Sequence, residues 1–312
     1  MVVTITPNTS IDRTLFVPHF ELGQTLRASS EAFGMGGKAA DASWILGELG
    51  QPSLALGFAA GDTGRRMEAM LRARAVKTDF TWVQGSTREN VLIVTEDGGG
   101  QTTITSESLL VTPADVAKLS SKVESALPGA SCLVLGGSLP LGVPPAMHAQ
   151  FVRAAHAAGV PTLFDASGVA LRAGLEARPT VVKPNRVELE WLTGESLTTL
   201  ESVWKAMLAL HERYRSWPIV TLGPLGGLAL TPDGGFRIVV PQVKAVSTAG
   251  AGDAVLAGLA ASYARGQNMA WGLRLGFAAA AAVVLTPATA DCRRADIDRL
   301  QPLVNVQAYP HR

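Results

Sequence analysis

A chain of 312 residues can bury a large core, and 47% hydrophobic against 17% charged residues, with 32 glycines, excludes a disordered or fibrous polypeptide. The net charge is only +1 and no polybasic block occurs, which excludes a nucleic-acid partner demanding many phosphate contacts. The two cysteines, Cys132 and Cys292, are isolated, with neither zinc-ligand spacing nor a disulfide framework, so a reducing cytoplasm is the expected setting.

The opening run "MVVTIT" is β-branched and apolar and ends in the turn formers "PNTSID", which predicts a strand with Asp12 just beyond its carboxyl end. Nothing there combines a basic segment, an apolar stretch and a small-residue cleavage site, so no secretory leader is expected. Residues 13–34 read as short extended pieces broken by Pro18 and Gly23, and residues 80–108 repeat that style. These two segments are expected to pair into a small sheet acting as a lid, inserted in a single domain that spans 1–312. Between and after them, apolar strands alternate with helical stretches: "SLALGFA", "RRMEAMLRARA", "CLVLGGSLP", "PPAMHAQFVRAAHAAG", "PTLFDAS", "PTVVKPN", "ESVWKAMLALHERYR" and "WPIVTLGPLGGLAL". This rhythm predicts an α/β fold with a mostly parallel central sheet and helices on both faces. The longest apolar run, "GFAAAAAVVL" at 276–285, is too short to cross a bilayer and reads as a buried Ala-rich helix.

In open parallel sheets, ligands bind beyond the carboxyl ends of the strands. Asp12, Ser138, Asp165, Lys183, Asn185, Thr221 and Gly223 each follow a strand-like run. Any one of them alone could be turn chemistry; their agreement marks that edge as the site. The stretch "VSTAGAGDAVLAGLAASYARG" is the most informative. Gly250, Ala251 and Gly252 are small enough for backbone N–H groups to turn inward at a helix start, an anion hole for a transferring phosphoryl group. Asp253 at that mouth has the position of a general base accepting the proton of an attacking hydroxyl, although a plain capping role fits the same residue.

A second small-residue stretch, "GMGGKAADAS" at 34–43, leads Gly36, Gly37 and Lys38 into a predicted helix and so also suggests an anion site. Asp41, three residues after Lys38, opposes that reading with a negative charge.

The segment "STAGAGDAVLAG" resembles the C-terminal signature of the ribokinase-like, or PfkB, carbohydrate kinases, and "GMGGKAADASWILGELG" is similar to their N-terminal glycine signature. The blocks "TITPNTSIDRTL", "VQGSTRENV", "LGGSLPLGVP", "FDASGVAL", "VVKPNRVELEWLTG" and "TLGPLGGLAL" resemble, in order and over nearly the whole chain, the 1-phosphofructokinase and tagatose-6-phosphate kinase subgroup. The resemblance implies a ribokinase-like three-layer αβα sandwich with a small β-sheet lid. It implies an ATP-dependent kinase acting on a phosphosugar, making fructose 1,6-bisphosphate from fructose 1-phosphate or tagatose 1,6-bisphosphate from tagatose 6-phosphate, with magnesium. It makes Asp253 the base and Gly250, Ala251 and Gly252 the anion hole. Asn185 and Glu188 match an Asn-x-x-Glu element that helps hold Mg2+ through its water shell, an indirect ligation that suits this ion. The same Glu188 could simply cap the helix that starts near Asn185. Asp12 matches a sugar-hydroxyl ligand. Lys38, Arg88 and Ser138 match residues gripping the phosphate already on the substrate, and Asn90 one that holds the sugar, beside the glycines Gly36 and Gly37. Lys183, Asn185, Thr221, Gly223, Gly226 and Gly252 fall on the ATP side, where the Ala-rich "AAAVVLTPATA" is expected to line the adenine slot. A homodimer through the lid is also implied, and Phe16, Phe20 and Phe33 supply an apolar lid face.

Three features depart from the subgroup. Ala39, Ala40 and Asp41 replace Gly-Ile-Asn, so an acceptor-only carboxylate stands where an amide donor was. Glu107 adds a negative charge at the far end of the lid, and Leu92 replaces a common lysine. These changes leave a second reading open, in which the acceptor is an unphosphorylated sugar, polyol or nucleoside. A non-catalytic sugar-phosphate sensor is opposed by the retained Asp253 and its glycines. A dinucleotide dehydrogenase is opposed by the lack of GxGxxG after the first strand.

Overall fold

Side chains alternate between the two faces of a strand, and the buried strands here are apolar on both. In Val2–Thr6 and Cys132–Gly136, Val2, Cys132 and Val134 pack on one face and Val3, Ile5, Leu133 and Leu135 on the other. A sheet of this kind must be covered twice, and it is. The first face packs against the helices Lys38–Glu48, Ala251–Arg265 and Met269–Val283, and the second against Pro113–Ala126, Met147–Ala157 and Leu200–Tyr214. The result is the three-layer αβα sandwich of a ribokinase-like fold.

The computed structural model describes residues 1–98, 100–106 and 109–310. Glu107, one of the three departures noted in the sequence, lies outside the described residues. The central sheet runs in the order Asn305–Ala308, Gly234–Val239, Gly227–Thr231, Trp217–Thr221, Val181–Val182, Thr162–Asp165, Cys132–Gly136, Val2–Thr6, Ser53–Ala59, Lys77–Thr78. It is parallel from Lys77–Thr78 to Trp217–Thr221 and antiparallel beyond. The carboxyl ends of the parallel strands therefore share one edge, where the strand-end residues Asp165 and Thr221 and the loop residues Ser138 and Lys183 converge.

A second sheet of four strands has the order Ser30–Gly36, Ser10–Val17, Arg88–Thr95, Gln101–Ile104. Its central pair, Ser10–Val17 with Arg88–Thr95, is parallel and sets Ser10 beside Arg88 and Asp12 beside Asn90. Asp12 was expected in a loop after the first strand. It lies inside a strand of this second sheet instead, because only the short turn Pro7–Thr9 separates the two strands. The Ala-rich run at 276–285 is helical to Val283 and buried except at the half-buried Ala280, Val284 and Leu285, and among the described residues no helix is long and apolar enough to cross a membrane. Both cysteines are buried and free.

Candidate active site

The helix Ala251–Arg265 begins at Gly250, whose φ of 81° is left-handed and whose position a Cβ would drive into the Ala290 backbone. Only glycine satisfies both conditions, and it lets the chain enter the helix with Ala251 and Gly252 in its first turn. The first N–H groups of a helix have no intrahelical acceptor, so this turn offers donors and the positive end of the helix dipole. Asp253 occupies the same turn. Burial, reinforced by the negative charge of Asp165, raises its carboxyl to about 7, against the pull of Lys38 and Lys183. A carboxylate poised there is a competent proton acceptor near neutral pH.

A cavity of about 460 Å³ opens beside this turn. Its polar wall carries Lys38, Lys183, Asn185, Thr221 and Asp253, and Gly223, Gly226 and Gly252 also line it. The opposite wall is apolar, from Val240, Phe277, Ala280, Ala281 and Val284. Ala280, Ala281 and Val284 of the Ala-rich segment thus line this cavity, through side chains small enough to leave room in it. Asn185 and Thr221 are bridged directly, so the ends of two neighbouring strands meet at the mouth.

Asp165, which the sequence marked only as one of several strand-end residues, is the hub. Its buried carboxylate pairs with Lys183 Nζ at 2.7 Å and with Lys38 Nζ at 2.5 Å. Burial alone would raise its pKa, but the two ammonium groups outweigh that and hold it below its ordinary value. Burial likewise works against the Lys38 charge, yet Asp165, Glu188 and Asp253 together hold its pKa above the usual lysine range. Lys38 also reaches Glu188 Oε1 at 3.3 Å. Its ammonium therefore lines the cavity, whereas the resemblance implied a grip on the substrate's own phosphate. Two carboxylates attract it there, while its backbone N stays near Gly137.

Asn185 and Glu188 form a reciprocal helix cap: the Glu188 N–H donates to Asn185 Oδ1 at 2.8 Å, and the Asn185 N–H donates to Glu188 Oε2 at 2.9 Å. Ser167 Oγ donates to Glu188 Oε1 at 2.7 Å. The capping reading of this pair is what the geometry displays. Both carboxylate oxygens of Glu188 accept hydrogen bonds. Among the described residues no group of three His, Cys, Asp or Glu side chains could cage a metal.

In the four-stranded sheet, Asn90 Nδ2 donates to Asp12 Oδ1 at 2.8 Å and to Ser10 Oγ at 3.0 Å. Burial raises the Asp12 pKa against the opposing effects of Asn90, Thr289 and Arg88. Gly36 lies against this group, since a Cβ there would strike Ser10 Oγ and the Asp12 carboxylate, and Gly37 precedes the Lys38–Glu48 helix. Arg88 Nη2 donates to the Asn8 carbonyl at 2.8 Å, and Asn8 Nδ2 donates to Ser138 Oγ at 3.1 Å. Arg88 and Ser138 are thus gathered around Asn8, while Asp12 and Asn90 sit next to them. Two buried oxygens here, Asn90 Oδ1 and Asp41 Oδ1, have no hydrogen-bond partner among the described residues. Leu92, in place of a lysine, is buried in the lid sheet. Beneath the Gly136–Ser138 loop, His148 is fully buried, its Nε2 3.0 Å from the Gly137 carbonyl, and burial lowers its pKa to about 4. It is a neutral prop for the loop.

Asn8 and Thr289 were missed by sequence reasoning because their roles depend on residues more than 70 positions away, such as Ser138, Arg88 and Asp12. Asp165 had a signal, its place at the end of "TLFD".

A model of the pfkB family carbohydrate kinases matches residues 3–296. The chain belongs to this family. It is 30% identical over 310 residues to a 1-phosphofructokinase of Vibrio cholerae, covering 99% of this chain and 98% of that one. It is 31% identical over 308 residues to the 1-phosphofructokinase of Escherichia coli K12, again covering 99% and 98%. Among solved structures, phosphofructokinase-2 from Escherichia coli in complex with fructose-6-phosphate superposes with a TM-score of 0.87 at 28% identity, covering 97% of this chain and 98% of that one. As a member of the family, the chain is a phosphotransferase with an alcohol group as acceptor, and a kinase of this kind draws its phosphoryl group from ATP.

Proposed function

We propose that this kinase phosphorylates the free hydroxyl of a phosphosugar, converting fructose 1-phosphate to fructose 1,6-bisphosphate or tagatose 6-phosphate to tagatose 1,6-bisphosphate. The observation that carries the reading is the pairing of two adjacent groups on the acceptor side. Asp12 and Asn90 form one suited to sugar hydroxyls, and Arg88 with Ser138 forms one suited to a phosphate. The relatives named above supply the substrate class. In this reading ATP lies in the cavity with its base against Phe277, Ala280 and Val284 and its phosphates toward Lys183, Lys38 and the first turn at Gly250–Gly252. Asp253 takes the proton of the acceptor hydroxyl as its oxygen attacks the γ-phosphorus, and the bond to the departing ADP oxygen breaks. Lys38 and Lys183 offset the phosphate charge from their places beside Asp165 and Glu188. Mg2+ carried on the nucleotide would add charge neutralisation, with Asn185 and Glu188 reaching it through water. Closure of the lid with Arg88 would exclude water and so prevent wasteful hydrolysis of ATP.

The lid's outer face bears a cavity of about 640 Å³ lined by Leu15, Val17, Phe20, Leu22 and Ile93, with Leu22 86% exposed. An apolar surface of this kind supports a homodimer formed lid to lid.

A second reading, an unphosphorylated sugar, polyol or nucleoside acceptor, draws support from the Lys38 ammonium facing away from the acceptor side. ADP release measured across fructose 1-phosphate, fructose 6-phosphate, tagatose 6-phosphate and unphosphorylated sugars, polyols and nucleosides separates the two. Turnover confined to the unphosphorylated acceptors overturns the first reading.

A further inference from the structure

Asp41 sits in the first turn of the Lys38–Glu48 helix, its N–H donating to the Gly37 carbonyl at 2.9 Å. It is only 4% exposed. This helix and the one that starts at Gly250 pack together through Ala39, Ala42, Ala254 and Ala257, and their amino ends bring the Asp41 and Asp253 carboxyls within hydrogen-bonding range of each other. The charged groups facing Asp41 are Lys38 on its own helix, Asp12 from the lid strand and Asp253 from the opposite helix. Those facing Asp253 are Asp165, Lys38, Lys183 and Glu188. Lys38 could in principle neutralise Asp41, but its ammonium is held by Asp165 and Glu188. Lys183 is likewise held by Asp165. Arg88 acts on Asp12 and donates to the Asn8 carbonyl.

Two carboxylates in contact, Asp41 buried and Asp253 half-buried at the cavity wall, with neither in an ion pair among the described residues, do not both ionise readily. We propose that Asp41 and Asp253 hold one proton between them, and that Asp41 keeps it through turnover, its O–H donating to the Asp253 carboxylate while Asp253 remains free to take the proton of the acceptor hydroxyl. The inference rests on Asp253 being the base, as in the proposed function, but not on which acceptor is used. It also removes the apparent conflict in the sequence. A neutral Asp41 is a donor, so it presents to Asp253 the same kind of group as the amide that the resemblance leads one to expect there. Asp41 is then a positioning residue, acting on the reaction through Asp253. Burial and the charges of Asp253 and Asp12 raise the Asp41 pKa well above its ordinary value, in keeping with this assignment.

The pair titrates as a unit, with a first and a second ionisation. Turnover should rise with pH through the first, as Asp253 becomes available, and fall through the second, when an anionic Asp41 stands beside the base and the incoming phosphates. D41N can donate but cannot ionise, so its profile should keep the acid limb and lose the alkaline one. D41L, with no donor, should lose kcat by roughly 10- to 100-fold, the value of one charge-assisted hydrogen bond, with the acceptor KM little changed. Infrared spectra of the wild-type enzyme at pH 7.5, without any substrate, should show the carbonyl stretch of a buried protonated carboxyl that is missing in D41N. Absence of that band from the wild type, or an unchanged pH profile in D41N accompanied by a large rise in acceptor KM, overturns the proposal and makes Asp41 a direct acceptor ligand. The infrared arm decides the matter even if none of the tested acceptors is phosphorylated.

Discussion

Replacing Asp253 with Asn should make the protein more stable while abolishing its chemistry, and the size of the gain should depend on pH. The Asp253 carboxyl is raised from 3.8 to about 7 by burial and by Asp165, and each tenfold rise in its proton affinity is worth about 1.36 kcal/mol. That sets a ceiling of roughly 4 kcal/mol, part of which belongs to the proton shared with Asp41, so the expected gain is about 1–3 kcal/mol. Because the folded-state pKa lies above the unfolded one, the native protein retains a proton that the unfolded chain has lost between pH 3.8 and about 7. Stability therefore declines as pH rises through that window and levels off above it. Asn lacks the titration, so D253N should match the wild type near pH 4 and exceed it at pH 8. For a chain of this length the difference at pH 8 is roughly 2–5 °C in Tm. Thermal melts of both proteins across pH 4–9 read this directly. The same variant should lose about 10²- to 10⁴-fold in turnover, the usual contribution of a general base, with ATP binding retained by calorimetry. A gain in Tm as large at pH 4.5 as at pH 8, or a loss at pH 8, refutes the account of a strained buried carboxylate.

Lys183→Met should cost about 3–5 kcal/mol, because it strips one of two cations from the buried Asp165, and should weaken ATP binding; adding Asp165→Asn should recover much of the Tm but not the affinity. Gly250→Ala must hold φ near 81° and displace the Ala290 backbone, so a loss of at least ~1–2 kcal/mol in urea unfolding is expected, with turnover falling as the helix start shifts. Arg88→Ala should raise KM for a phosphosugar by roughly 10- to 100-fold and leave that of an unphosphorylated analogue nearly unchanged; equal effects on both would show that Arg88 serves only to hold Asn8. Leu22→Glu should shift the molecule to monomer in sedimentation velocity if the lid face forms the dimer.

The alternation of strands and helices was legible because each central strand is apolar on both faces and each covering helix carries an apolar side, patterns set by local geometry alone. The small-residue entry to the Ala251–Arg265 helix was equally legible. Left-handed backbone and close approach demand glycine at Gly250, and "GAGD" states that demand in four letters. What sequence could not decide was direction. Lys38 follows the glycines as a phosphate-gripping lysine would, yet its ammonium goes where Asp165 and Glu188 draw it, and those residues lie 127 and 150 positions away. Asn185 and Glu188 satisfy a local capping rule and a ligand pattern with the same spacing, and only the folded geometry shows both carboxylate oxygens already engaged. Asp41 is the plainest case. By itself it is a negative charge that argues against an anion site. Tertiary structure buries it against a second carboxyl, and burial of two such groups together is what turns a charge into a donor.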